Sequence, residues 1–302
     1  MSLFNHRIAL FSISLLLLLI SLCRIYDRYF SSQAEILVFD MAQGESILLK
    51  LPRGKTFLID LGSSTYPWRA GEEIYRELGR RGILKLDGFI LTHPDKDHTS
   101  GVSSLYRHIS IERFFYSQSL EKNLSAPSTI LEEMKAEALS RNTILQPVFP
   151  SLELRGLGYK LTSFSLVPSQ KITENNLSLV SLLEIHGCRF LFTGDIEKEA
   201  EHELLKKKMG SIHVLKVPHH GSITSSHWEF LKMLKPQHAV ISVGSKNRYG
   251  HPRPEVLKRL LFFKTKILRT DFHGFISYKI NSLGEVSCET ALGSCGQFQC
   301  QI

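Results

Sequence analysis

The 302-residue sequence predicts an α/β domain in which two β-sheets pack face to face with helices outside them, preceded by one N-terminal apolar segment. Two observations carry that expectation. Each half of the chain opens with short apolar runs bounded by turn residues and continues as strands alternating with helical stretches, a pattern that suits layered sheets covered by helices. In addition, four groups of histidine and aspartate each follow directly on an apolar strand run, which places them along one rim of one sheet system.

Taken in order, residues 1–7 form a flank to an almost pure Leu/Ile/Phe/Ser/Ala run at 8–23, with Arg7 before it and Arg24 and Arg28 after it. A spanning helix wants about 20 apolar residues and tolerates about 17, so the run sits at the short edge. It is expected to be an uncleaved membrane anchor that holds the remainder outside the cytoplasm, with a cleaved signal and secretion, or a membrane-associated fragment of something larger, as the alternatives. Residues 24–34 are a linker. Strands are expected at 35–40, 46–51 and 56–60, punctuated by Gly44 and Pro52-Arg53-Gly54, then a helix at 70–80, a buried strand at 87–92 and a helix at 99–108. A strand at 112–116, a helix at 128–140 and strands at 144–148 and 159–166 complete the first half. The second half predicts strands at 178–186 and 189–193, a helix at 197–208, a strand at 212–217, a helix at 226–234, a strand at 238–243, a helix at 254–263 and short strands up to about 288. One domain is expected over 35–287, with 288–302 as a cysteine-containing tail.

Apolar content of 43% with 22% charged residues excludes a disordered chain. The net charge of +8 favours anionic partners such as nucleic acid, lipid headgroups or phosphoesters, although such totals bear on association and not on chemistry. There is no Cys-x-x-Cys pair to suggest a zinc ribbon. Outside the cytoplasm, two of Cys288, Cys295 and Cys300 are candidates for a disulfide, with free thiols as the plain alternative.

The strongest chemical signal is His93-Pro94-Asp95-Lys96-Asp97-His98, four possible ligands within six residues at a strand-to-helix turn. Imidazole suits zinc, iron or manganese, and each added carboxylate moves the preference toward harder ions. The plain alternative is a charged turn in which Asp95 and Asp97 cap the next helix. Asp195, at the end of the apolar run 189–193, has the same two readings: a carboxylate bridging two ions, or a helix cap. Two further groups follow strands, Pro218-His219-His220-Gly221-Ser222 and Asn247-Arg248-Tyr249-Gly250-His251-Pro252, where Gly221 would let a substrate approach the backbone. Lys206-Lys207-Lys208 at a helix end reads as a solvated face. Arg69, Arg80 and Arg81 read as a helix surface or as a phosphate-steering patch.

The ordered set resembles the metallo-β-lactamase superfamily and, more narrowly, the soluble hydrolase domain of ComEC competence proteins. The motifs that carry the resemblance are Gln43-Gly44, Leu58-Ile59-Asp60-Leu61-Gly62, Thr92 to His98, Asn175 to Val180, Thr193 to Asp195, Pro218 to Ser222 and Tyr249 to Pro252. The resemblance implies a four-layer αββα sandwich holding two divalent ions, manganese or zinc. It implies that His93, Asp95 and Asp195 hold one ion, and that Asp97, His98, Asp195 and His251 hold the other, with Asp195 as bridge. Family members usually carry histidine where this chain has Asp95, and another near Asn175 and Asn176, whose amides would be weak ligands or none; the first site should therefore favour manganese. Asp60 is expected to orient the metal loop. His219, His220 and Ser222 are expected to face the substrate, with Asp97, His219 and His220 counted as catalytic and His220 favoured for stabilising charge on a phosphoryl oxygen.

Two departures stand out. The family's Val-Gly-Gln-Gly-Asp is Met41-Ala42-Gln43-Gly44-Glu45 here, and ComEC proteins carry a multispan channel region where this chain has one apolar run, so any channel would be a separate partner. The resulting expectation is a metal-dependent hydrolase, a phosphodiesterase or nuclease linked to DNA uptake, in which a hydroxide bridging two ions attacks the substrate. The alternatives are a hydrolase of another small or cell-envelope ester, and an inactive binding module of a DNA-uptake system.

Overall fold

Alternation of side chains along each strand decides which residues share a face, and in the computed structural model both faces of both large sheets are apolar. The structure describes residues 2–122, 124 and 128–300, with the side chains of 2–9, 24–25 and 27–29 outside the description. One sheet has nine strands in the order Gly293–Gln299, Glu285–Thr290, Ile276–Ile280, Ala34–Val38, Ile47–Leu51, Lys55–Ile59, Gly88–Ile90, Arg113–Ser117 and Ile144–Val148. The other has seven, in the order Lys266–Arg269, His238–Ile241, Val214–Lys216, Cys188–Phe192, Leu179–Ile185, Tyr159–Ser165 and Ser151–Gly156.

Ile36, Leu49, Ile59, Ile90 and Phe115 of the first sheet face Leu161, Leu183, Phe190, Val214 and Val240 of the second in one buried cluster. Their neighbours Leu37, Leu48, Leu58, Phe89 and Phe114 point the other way and pack beneath the helices Ala70–Arg80, Val102–Tyr106 and Thr129–Ser140. Leu182, Leu191, Leu215 and Ala239 do the same beneath Lys198–Leu205, Trp228–Leu234 and Pro254–Phe262. The result is the expected helix–sheet–sheet–helix sandwich. In the inner part of each sheet the strands run parallel, Lys55–Ile59 to Gly88–Ile90 and Cys188–Phe192 through Val214–Lys216 to His238–Ile241. Parallel neighbours end on the same side, so the loops after them meet at one rim.

Several expectations are corrected. The run 8–23 lies within a helix, Ser2–Phe30, so the linker shrinks to residues 31–33. Leu10 to Cys23 are exposed, while Arg7, Arg24 and Arg28 have side chains outside the described residues. Among the described residues no helix is long and apolar enough to cross a membrane, and the expected anchor gains no support; the apolar run is shorter than the span of about 20 residues a bilayer asks for. Residues 288–300, within the expected tail 288–302, are no loose tail. They supply half of the strand Glu285–Thr290 and all of the edge strand Gly293–Gln299, which their glycines and polar residues had hidden from a periodicity reading. A strand at Ser151–Gly156 was also missed; it is a short edge whose apolar face consists of Leu152 and Leu154 alone, packed against the inter-sheet core. Arg81 pairs with Glu35 and Glu77, and Arg80 with Glu77, which places both on a plain helix surface.

Two disulfides hold the C-terminal strands, Cys288–Cys295 within the hairpin and Cys188–Cys300 from the second sheet to the chain's end. The second joins residues 112 apart, and closing so long a loop restricts the unfolded chain most. Cys188→Ser is therefore expected to lower stability by about 2–5 kcal/mol, measured by urea denaturation. At the same end of the sandwich His238 donates to or accepts from the Tyr278 hydroxyl at 3.1 Å, and burial lowers its pKa from 6.5 to about 4. The unfolded chain then binds a proton that the folded one refuses between those values, so this group costs stability as pH falls from 6.5 toward 4. His238→Gln should flatten the difference in unfolding free energy between pH 7 and pH 4.5 by up to about 3 kcal/mol relative to the unaltered chain.

Candidate metal centre

Asp60 ends the strand Lys55–Ile59 in a left-handed conformation (φ 53°) and is fully buried. A carboxylate there must be satisfied by its surroundings. Its Oδ1 accepts the Thr92 backbone N–H at 2.8 Å, and its Oδ2 accepts the Thr92 hydroxyl at 2.6 Å and His98 Nδ1–H at 2.7 Å. The Thr92 hydroxyl, its proton committed to Asp60, accepts from His93 Nδ1 at 3.1 Å. On the other sheet, His220 Nδ1 donates to the Ser242 carbonyl at 2.7 Å. All three imidazoles are thus held through Nδ1 and present Nε2 to a common space.

That space is also lined by carboxylates. His93 Nε2 lies 3.5 Å from Asp95 Oδ2 and 4.0 Å from Asp195 Oδ2. His98 Nε2 is 3.5 Å from Asp195 Oδ1, and His220 Nε2 is 3.3 Å from Asp97 Oδ2 and 3.5 Å from Asp195 Oδ2. The Nε2 atoms of His93, His98 and His220 and Oδ1 of Asp195 are buried without a hydrogen-bond partner among the described residues. Buried polar atoms are normally paired, and imidazole nitrogens and carboxylate oxygens converging in this way are the donor set a transition-metal ion requires. Two overlapping groups can hold an ion, His93–His98–Asp195 and Asp97–His98–His220. The two groups share His98, whose one free nitrogen can serve a single ion, and Asp195 lies in reach of His93, His98 and His220, so the donors present fit the binding of a divalent metal.

Charge follows the same geometry. Burial pushes the Asp195 carboxyl up, but the imidazoles of His220 and His98 outweigh it and hold the group well below the usual carboxylate range. Burial pushes His98 down, and Asp195 and Asp60 more than reverse it.

His93, Asp95, Asp97, His98 and Asp195 come together. Asp95 occupies the helix-cap position before Lys96–Thr99 yet makes no side-chain cap bond, and the cap position before Lys198–Leu205 belongs to Glu197. The capping alternative for Asp95 and Asp195 therefore fails. His220, expected to face the substrate, is the imidazole brought to Asp97 and His98; His251 instead sits against His219, ring centroids 5.7 Å apart. Burial and the nearby His219 and His220 lower the His251 pKa to about 4, and burial also lowers that of the partly exposed His219, so both are neutral at the open side of the site.

Asn176 cannot serve as a ligand, since its Oδ1 accepts the Glu197 N–H at 2.9 Å and its Nδ2 donates to the Lys171 carbonyl and Glu199. Asn175 lies beside it in the turn Asn175–Leu177. Ser222 closes the histidine turn, its N–H bonded to the His219 carbonyl at 2.8 Å and its hydroxyl to Thr224. Gly221 is required by its φ of +82° and by Pro252, 2.6 Å from where a Cβ would stand, and so is not an opening for substrate. Gly62 is likewise dictated by packing: a Cβ would come within 2.4 Å of the Asp97 backbone. Sequence reasoning missed Thr92 as the hub joining Asp60, His93 and His98, although it stands at the head of that motif.

Because Asp60 satisfies Thr92 and orients His98, Asp60→Ala is expected to lower affinity for manganese or zinc about 10–100-fold, measured by calorimetric titration of the metal-free chain.

A model of the metallo-beta-lactamase superfamily matches residues 40–245. ComE operon protein 3 of Bacillus subtilis is 34% identical over 279 residues, covering 85% of this chain and 34% of that protein. Competence protein ComA of Neisseria gonorrhoeae is 28% identical, covering 84% of this chain and 33% of its own length. The chain thus spans about a third of the curated relatives it matches. Among solved structures, the metallo-beta-lactamase fold protein YhfI from Bacillus subtilis superposes with a TM-score of 0.55 at 10% identity, covering 82% of this chain and 99% of that one. The diiron β-hydroxylase CmlA from Streptomyces venezuelae gives 0.54 at 13% identity over 80% of this chain and 53% of its own. By the match across its core and by the site assembled at the sandwich rim, the chain belongs to the metallo-β-lactamase superfamily and is related to the ComEC-type competence proteins.

Proposed function

We propose that the chain is a metal-dependent phosphodiesterase acting on nucleic acid in a DNA-uptake setting. The observation that carries the reading is the convergence of buried, unpartnered imidazole and carboxylate atoms from both sheets. His93, Asp95 and Asp195 would hold one divalent ion and Asp97, His98, His220 and Asp195 the other. Two such ions, when bound, supply Lewis acidity toward a phosphoryl oxygen and an activated water as nucleophile. The chain's own groups do the rest. His219 and His251, neutral at the open side, are suited to hydrogen-bond phosphoryl oxygens as charge develops there. Beyond them Tyr249 stacks on His251 at 5.8 Å, and the Arg248 guanidinium lies 5.2 Å over the Tyr249 ring. That exposed arginine, on a chain of net charge +8, would bind a neighbouring phosphate and stack against a base. A DNA-uptake role is favoured by a relative named as a competence protein, ComA of Neisseria gonorrhoeae; a channel protein would be the partner, and a membrane-attached, extracytoplasmic setting belongs to the same reading.

The test is hydrolysis of bis-p-nitrophenyl phosphate and of single- and double-stranded oligonucleotides by the chain loaded with manganese or zinc. Asp195→Ala should reduce all hydrolysis by at least about 1,000-fold, the scale of removing central transition-state stabilisation; unchanged turnover would remove the hydrolase reading and leave a binding module. Cleavage of the small diester alone would favour a small or cell-envelope ester over nucleic acid. Arg248→Ala is expected to raise KM for oligonucleotides about 5–10-fold, the loss of one phosphate or stacking contact, and to leave the small diester unaffected.

A further inference from the structure

Glu45 and Lys216 form an ion pair with both side chains sealed from solvent, at 0% and 1% relative exposure. Taking two charges out of water costs about what their attraction returns, and an apolar pair of the same size usually stabilises a fold as well or better. Stability alone therefore does not explain the pair. Its placement does. The Glu45 N–H donates to the Asp97 carbonyl at 3.0 Å, and its own carbonyl accepts the Gly62 N–H at 3.1 Å, so this residue props the turn carrying Asp97 and His98. Lys216 lies on the other sheet at the end of Val214–Lys216, two residues before the turn that carries His219 and His220. Its Nζ stands 3.9 Å from Asp195 Oδ1.

We propose that the Glu45–Lys216 pair is a positioning device for the metal site. It clamps the Asp97–His98 turn of one sheet to the His219–His220 strand end of the other and sets a buried cation against Asp195. The proposal rests on the reading that the site holds metal.

Calorimetric titration of the full metal-free chain with manganese and with zinc tests it, alongside the melting temperature of each metal-free variant. Glu45→Leu combined with Lys216→Met keeps the volume and removes both charges. This double variant should melt within a few degrees of the parent yet bind the ions about 10–100-fold more weakly, the scale expected when support behind a ligand is lost. Glu45→Gln, close in shape and able to keep the main-chain bonds, should weaken binding in the same direction. Parental affinity in a folded variant overturns the proposal, and loss of folded structure in both variants assigns the pair to stability and overturns it equally. A parent chain that takes up no ion defeats the metal reading itself. One that binds ions but hydrolyses no phosphodiester leaves this proposal standing, because its readout is affinity.

Discussion

The structure depends on keeping a dense set of charges buried at the seam between two sheets. Asp60, Asp195, Glu45 and Lys216 are all nearly or fully sealed from solvent, within reach of three buried imidazoles. In an apolar interior such groups are tolerated only when each has a partner of opposite character. Asp60 supplies that balance on one side, accepting two bonds from Thr92 and one from His98. What remains unbalanced is a small group of Nε2 and carboxylate atoms pointing at one another, and its deficit is one that metal cations would fill.

Rigid supports deliver those atoms. Asp60, the His93–His98 turn, Asp195 and the His219–His220 turn all follow strands from the interior of the two sheets, where parallel pairing puts loop starts side by side. The sandwich core of Ile59, Ile90, Phe190 and Val214 fixes those strands by close packing. Three residues of the rim, Asp60, His219 and His220, adopt left-handed backbone conformations although none is glycine. Such conformations persist where surrounding contacts over-determine them, and they cluster where side chains must be aimed.

Far from the rim, the sandwich is closed by other means. The C-terminal hairpin extends the nine-stranded sheet at its edge, and Cys188–Cys300 ties that hairpin to the seven-stranded sheet. The covalent clamp and the metal rim therefore act on opposite ends of the same two-sheet interface. Each limits how far one sheet can shift over the other, which bears directly on a site whose ligands come from both.

Much of the molecule was legible in the residues themselves. Short, nearly continuous apolar runs such as Ile47–Leu51 and Leu179–Ile185 declared strands buried on both faces, and the His93–His98 cluster with Asp195 declared ligands, because local pattern and residue chemistry are properties of the chain alone. The C-terminal strands were not legible, since Gly293, Gly296 and alternating polar residues form a strand only when a neighbouring edge pairs with them. Nor were the final roles of histidines. His219, His220 and His251 are equivalent as letters, and only the fold distinguishes them: the Ser242 carbonyl turns His220 inward, while His251 comes to rest against His219. Asn176 similarly passed for a weak ligand until both ends of its amide were seen bonded to backbone and Glu199. The sequence by itself determined which chemistries were available and near which strand ends they lay. The tertiary structure decided which atoms remain free, because an atom's freedom depends on partners more than 20 residues away in the chain, as with Asp60 for His98 and Ser242 for His220.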